Sequence, residues 1–125
     1  MLRDIVLVAA GGALGASARW AVGGWLADRL GPGFPWHTLV INISGAFVLG
    51  LLMGASLDGG WVSPSWRIFA GTGVLGGYTT FSTLAYESVA LLERGSYAHA
   101  ALNMFGSGAV GIAAAIGGIA LGRLL

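Results

Sequence analysis

The sequence predicts an all-α integral membrane protein, a four-helix bundle with a broken third helix. Three observations predict it. The 125 residues are 56% hydrophobic and only 9% charged, where soluble domains carry about 25% charged residues. Mean hydropathy is +0.82, so the chain cannot cover a water-facing surface and belongs in a lipid bilayer. Four apolar segments follow one another, each near or above the ~20 residues that a helix needs to cross ~30 Å of hydrocarbon. The third is interrupted by "GGYTTFST", residues 76–83, where five hydroxyl side chains and a phenyl ring follow two glycines.

The first segment runs roughly over residues 5–26 and ends at "DRLGPGFP". Its start, "MLRD" followed by "IVLVAAGGALG" and "ASA", imitates a signal peptide with an A-x-A cleavage site. The apolar run continues past that point through "AVGGWLA" and no exported domain follows, so a retained span is expected. The second segment covers roughly residues 36–57 and ends at "DGGWVSPS"; the fourth covers roughly 97–121 and ends at Arg123. The third, roughly 66–92, ends at "ERGS". As a straight helix it would span about 40 Å at ~1.5 Å per residue, more than the bilayer core needs. Gly76-Gly77 in its middle weakens a helix, and this predicts the break there. Such a break is tolerated at membrane depth only where protein or water lines it. Backbone satisfaction in lipid makes runs this long helices rather than barrel strands. Trp20, Trp25, Trp36, Trp61 and Trp66 fall near segment ends or in loops, where indole favours the interface. The whole chain, 1–125, reads as one transmembrane domain.

Small residues prepare the helices for close approach. Gly11/Gly15, Gly50/Gly54, Gly73/Gly77 and Gly118/Gly122 are all G-x-x-x-G pairs, the spacing that lets helix backbones touch in lipid. With 23 glycines some pairs arise by chance, so tight packing is predicted but not which pair meets which. Four helices put both termini on one side. That side carries Arg3, Arg67 and Arg123; the other carries Arg29 and Arg94, with Arg19 a further candidate. Orientation follows the Lys/Arg difference between short flanks, and here it is close to nil. Two readings are open: chance in a short chain, or insertion in both orientations and pairing with an inverted copy.

Composition also excludes function classes. Six Lys+Arg, all Arg, against five Asp+Glu give net +1, no basic footprint for nucleic acid. Without Cys there is no thiolate chemistry. His37 and His99 are the only candidate bases, lie near helix ends, and have no nucleophile or metal cluster at a working spacing, which argues against an enzyme. No Asp or Glu lies near the centre of a segment; Glu87 is the nearest. A proton-coupled exporter of the small multidrug type, the obvious rival for a charge-balanced four-helix dimer, needs such a carboxylate.

What the segments do contain is donors, which favours an anion as cargo. Asn42 and Ser44 fall at or above the middle of the second segment. The Asn42 amide offers two donors or a helix–helix hydrogen bond. Asn103 and Ser107 are four apart and share a face of the fourth helix, with capping a competing role for Asn103. Thr79 and Thr83 are likewise four apart, as are Thr80 and Leu84. Phe81 brings a positive ring edge. Arg19 is either a donor to the cargo or an interface anchor. A break frees carbonyls that attract a cation and N–H groups that attract an anion.

"GGALGASARW", "WHTLVINISGAFVLG" and "GTGVLGGYTTFSTLAYE" together resemble the Fluc (CrcB) fluoride channels of microbes, over all four segments. The resemblance implies an antiparallel dual-topology homodimer in the plasma (inner) membrane with two fluoride pores, a central sodium ion, and passive export of fluoride. It implies that Asn42 is the pore amide facing fluoride, Phe81 the first ring of a phenylalanine box, and Ser107 a pore hydroxyl. Thr80 and Thr83 become parts of a polar track, Arg19 a vestibule arginine, and Glu87 an acid near a pore end. Backbone carbonyls at Gly76 and Thr79 would hold the sodium. Two positions depart from the pattern: Leu84 stands for the second box phenylalanine, and Asn103 for a pore tyrosine. A channel subunit that depends on a partner chain is the alternative these departures leave.

Overall fold

The computed structural model describes residues 1–125, the side chains at 58 and 59 excepted. Helix α1 spans Leu2–Leu30, an unbroken run without proline that stops at Gly31, where φ is 78°. The Gly31 N–H closes the last turn on the Ala27 carbonyl at 3.0 Å, and Pro32 cannot continue the helix. Helix α2, Trp36–Gly59, starts after Pro35 and ends at Gly60, whose φ is 68°. Helix α3 covers residues 64–78. Pro64 occupies its first turn and the Ser63 side chain caps it, accepting from the Trp66 N–H at 3.3 Å. Its central part, Arg67–Leu75, has the wider π-helical winding, and Gly76–Tyr78 return to α. Helix α4 is Phe81–Glu93 and α5 is Tyr97–Arg123, with a π-helical stretch at Leu102–Gly106. Among the described residues there is no strand.

Helices α1, α2 and α5 are each long and apolar enough to cross a membrane. Helix α1 runs four residues beyond the first segment read from sequence, through Asp28 and Arg29. The third segment is divided between α3 and α4. Its two non-helical residues are Thr79 and Thr80, not the glycine pair on which the sequence centred the break; Gly76 and Gly77 are helical.

The glycines account for that. They pack α1 against α3 and α2 against α5, both in parallel register. A Cβ at Gly11 would lie 2.9 Å from the Gly73 Cα, one at Gly15 would overlap the Val74 carbonyl, and one at Gly77 would lie 2.7 Å from the Gly12 carbonyl oxygen. On the other seam a Cβ at Gly122 would lie 2.8 Å from the Ala55 nitrogen, and one at Gly118 would overlap the Phe47 carbonyl. Gly77 therefore stays in the helix because only glycine fits the contact, which outweighs its poor propensity. Parallel pairing of first with third and second with fourth spans is what an up-down-up-down chain produces. Arg3 donates to the Ser65 hydroxyl, bringing the N-terminus to the first turn of α3, the side on which the sequence placed Arg3 and Arg67. Large apolar side chains such as Trp20 and Phe105 point outward, as a lipid-facing surface requires.

Candidate functional site

The gap between α3 and α4 is the centre of the polar residues. Thr79 (φ −82°, ψ 157°) and Thr80 (φ −151°, ψ 118°) are extended. Extended backbone in lipid needs partners, and Asn42 on α2 supplies them. Its Nδ2 donates to the Thr80 carbonyl at 3.0 Å, and its Oδ1 accepts from the Thr80 N–H at 2.8 Å. The side-chain amide thus pairs with both backbone groups of Thr80 as a neighbouring strand would, and one Nδ2 hydrogen remains uncommitted.

Each hydroxyl has a local task. Thr79 Oγ1 donates back to the Leu75 carbonyl at 3.0 Å. Thr80 Oγ1 caps α4 by accepting from the Thr83 N–H at 3.3 Å, and donates to Thr83 Oγ1 at 3.0 Å. Ser44 Oγ and the Tyr78 hydroxyl lie 3.1 Å apart. Arg19 Nε donates to the Gly77 carbonyl at 3.0 Å, a cation at the negative end of α3. The Thr80 N–H, which an uninterrupted helix would send to Gly76, goes to Asn42 instead, so the Gly76 carbonyl loses its helical donor.

Three recesses follow one another from the loop end of the molecule to this gap. The outermost, about 370 Å³, is lined by Asp28, His37, Tyr86, Glu87 and Arg94 among others. His37 also lines the second, about 350 Å³, with Arg19, Thr38, Thr80 and Thr83. Thr80 also lines the third, about 320 Å³, with Asn42, Thr79, Phe81 and Leu84. So the structure brings together Asn42, Thr79, Thr80, Phe81, Leu84, Thr83 and Arg19. Phe81 is nevertheless 81% exposed, its ring projecting from the chain.

Asn103 and Ser107 do not line these recesses. Both are buried with Ser88 where α4 meets α5. Asn103 Nδ2 donates to Ser88 Oγ at 3.1 Å, and Ser88 Oγ donates to the Leu84 carbonyl at 2.8 Å. Asn103 Oδ1 and Ser107 Oγ have no partner among the described residues. Sequence reasoning missed Ser88, although Leu84 and Ser88 are four residues apart and share a face of α4. It also missed that Glu87 pairs with His37, Oε2 to Nε2 at 3.1 Å. No local spacing links positions so far apart in the chain.

A family model described as CrcB-like protein, Camphor Resistance (CrcB), matches residues 6–119. The chain is 48% identical over 120 residues to the Fluoride-specific ion channel FluC of a Thermus thermophilus strain, covering 96% of this chain and 94% of that protein. It is 42% identical over 124 residues to the protein of that name from Rhizobium meliloti, with 99% of each covered. To the one from Agrobacterium fabrum it is 46% identical over 122 residues, with 98% of each covered.

Proposed function

From the premise that the chain belongs to the CrcB-like family, we propose that it is a fluoride-specific ion channel of the plasma membrane, a conduit for passive fluoride export and not an enzyme. The observation that carries this is near-full-length identity to proteins named as fluoride channels, 48% over 96% of the chain in one case. The polar gap supports it. A small, strongly hydrogen-bonding anion that leaves water needs donors at short range. Arg19 draws it inward, the Thr80 and Thr83 hydroxyls line its way, and Asn42, with one Nδ2 hydrogen uncommitted, lines the same recess as the Phe81 ring. Asn103 and Ser107 lie apart from these recesses in the single chain; of their two unpartnered oxygens only the Ser107 hydroxyl can donate to an anion.

The working unit is an inverted homodimer. Two features support that reading: the near balance of Arg between the two sides, and a phenyl ring that is largely uncovered in one copy. Gly76, near the end of α3, is exposed as well. The Gly76 carbonyl, without a helical donor, and that of the extended Thr79 would hold a sodium ion, since carbonyl oxygen suits a hard cation. When bound there, the ion would supply fixed positive charge.

The experiment is fluoride efflux from liposomes containing this chain alone, followed with a fluoride electrode. We expect efflux that chloride does not share. Liposomes that retain fluoride as protein-free ones do would remove the reading and leave a partner-dependent subunit.

A further inference from the structure

An acid beside the route of an anion calls for a physical explanation. Glu87 Oε2 lies 3.1 Å from Nε2 of His37, and its side chain is only 16% exposed. Its other oxygen, Oε1, is buried without a hydrogen-bond partner among the described residues. Water therefore screens this carboxylate poorly, and its field reaches further than a surface charge would. The charged and titratable groups around the pair are Asp28 and Arg19 from α1, Tyr86 from α4, Arg94 after α4, and His99 from α5, which packs edge-on to Phe34 with ring centroids 5.6 Å apart. Among the described residues none of them forms an ion pair with Glu87 or His37. His37 is the one residue whose charge can cancel that of Glu87 at contact distance. It also stands where the outer recess meets the one lined by Arg19, Thr80 and Thr83.

We propose that His37 is a charge-compensating positioning residue for conduction: protonated, it cancels Glu87 and an anion passes between the two recesses; neutral, it leaves a carboxylate that repels the anion. This rests on the fluoride-channel reading above and adds to it a proton-sensitive step. Imidazole is the side chain whose charge changes between pH 5 and 8, so the sign follows directly. Flux is higher when the pair carries the proton and falls as pH rises.

The test is fluoride efflux from liposomes holding the full chain at about pH 6 and about pH 8, either side of the imidazole range, with equal pH on both faces and protein-free leak subtracted. The readout is the ratio of the two rates, which does not depend on how much protein is incorporated. We expect the wild type to pass fluoride about tenfold faster at the lower pH, equivalent to roughly 1.4 kcal/mol on the barrier. Glu87→Gln removes the charge to be compensated and brings the ratio to about one; His37→Arg, a permanent cation, does the same by a second route. A wild-type ratio near one, or a tenfold ratio that survives in Glu87→Gln or His37→Arg, overturns the proposal while leaving the channel intact. A wild type that passes no fluoride at either pH overturns the channel reading and this step with it.

Discussion

The seam between α2 and α5 and the gap between α3 and α4 solve one problem, a backbone in a medium without water, by opposite means. At the seam every peptide group is satisfied inside its own helix, and the helices have only to come close. Glycine does that, with Gly118 against the Phe47 carbonyl and Gly54 against Ile119. At the gap the helical ladder stops for two residues, and side chains from elsewhere replace it: Asn42 for the Thr80 peptide, Thr80 Oγ1 for the Thr83 N–H, Arg19 for the Gly77 carbonyl. The α1–α3 seam runs up to the gap, since Gly73 and Gly77 pack on α1 within the last turns before the break. Substitution at a seam should cost stability, whereas substitution at the gap should cost function out of proportion to stability.

The largest effect is expected at the seams. In Gly15→Ala and Gly118→Ala the new methyl meets carbonyl backbone that cannot rotate away. Each should cost about 3 kcal/mol or more, the upper range for overpacking, seen as earlier loss of the monodisperse species when detergent-solubilised protein is heated. If either variant melted with the wild type, the close approach would not be holding that pair of helices.

Next comes Asn42→Asp, a change at the gap. The shape is kept, but a carboxylate oxygen replaces the donor that faces the Thr80 carbonyl. The loss of one partnered group should cost about 1–3 kcal/mol. Flux should fall far more than that loss of folded protein explains, because a fixed negative charge now lies on the anion's way. Liposomes of Asn42→Asp with near-normal fluoride efflux would make Asn42 a brace for the backbone and nothing else.

Much of this was legible in the sequence, and the reasons for the remainder are physical. Length and hydropathy pointed to long apolar helices because lipid thickness and backbone satisfaction leave few alternatives. The G-x-x-x-G pairs announced close packing, but not that Gly11/Gly15 meets Gly73/Gly77 while Gly50/Gly54 meets Gly118/Gly122, since four similar motifs carry no partner labels. The break was centred on Gly76-Gly77 by intrinsic propensity; tertiary contact overrode it, and the extended residues are the threonines that follow. The amide at Asn42 was visible as a pair of donors, yet half its capacity is committed to Thr80, a partner no local pattern names. His37 looked idle because Glu87 is distant in sequence.

The smallest effect separates neighbouring glycines. Gly117 and Gly118 are adjacent on α5, and only Gly118 faces α2. A Cβ at Gly117 would meet nothing within 4 Å of it in the chain, whereas one at Gly118 would overlap backbone. Alanine is the better helix former by about 1 kcal/mol in water, and less of that difference remains in lipid, where helices have no competing hydration. Gly117→Ala should therefore melt within about 1 kcal/mol of the wild type and pass fluoride at the same rate, while Gly118→Ala fails. Parallel failure of both would mean that the face of α5 carrying Gly117 is covered in the assembled channel by a second copy packed as tightly as α2, and the seam rule would then extend to the dimer interface.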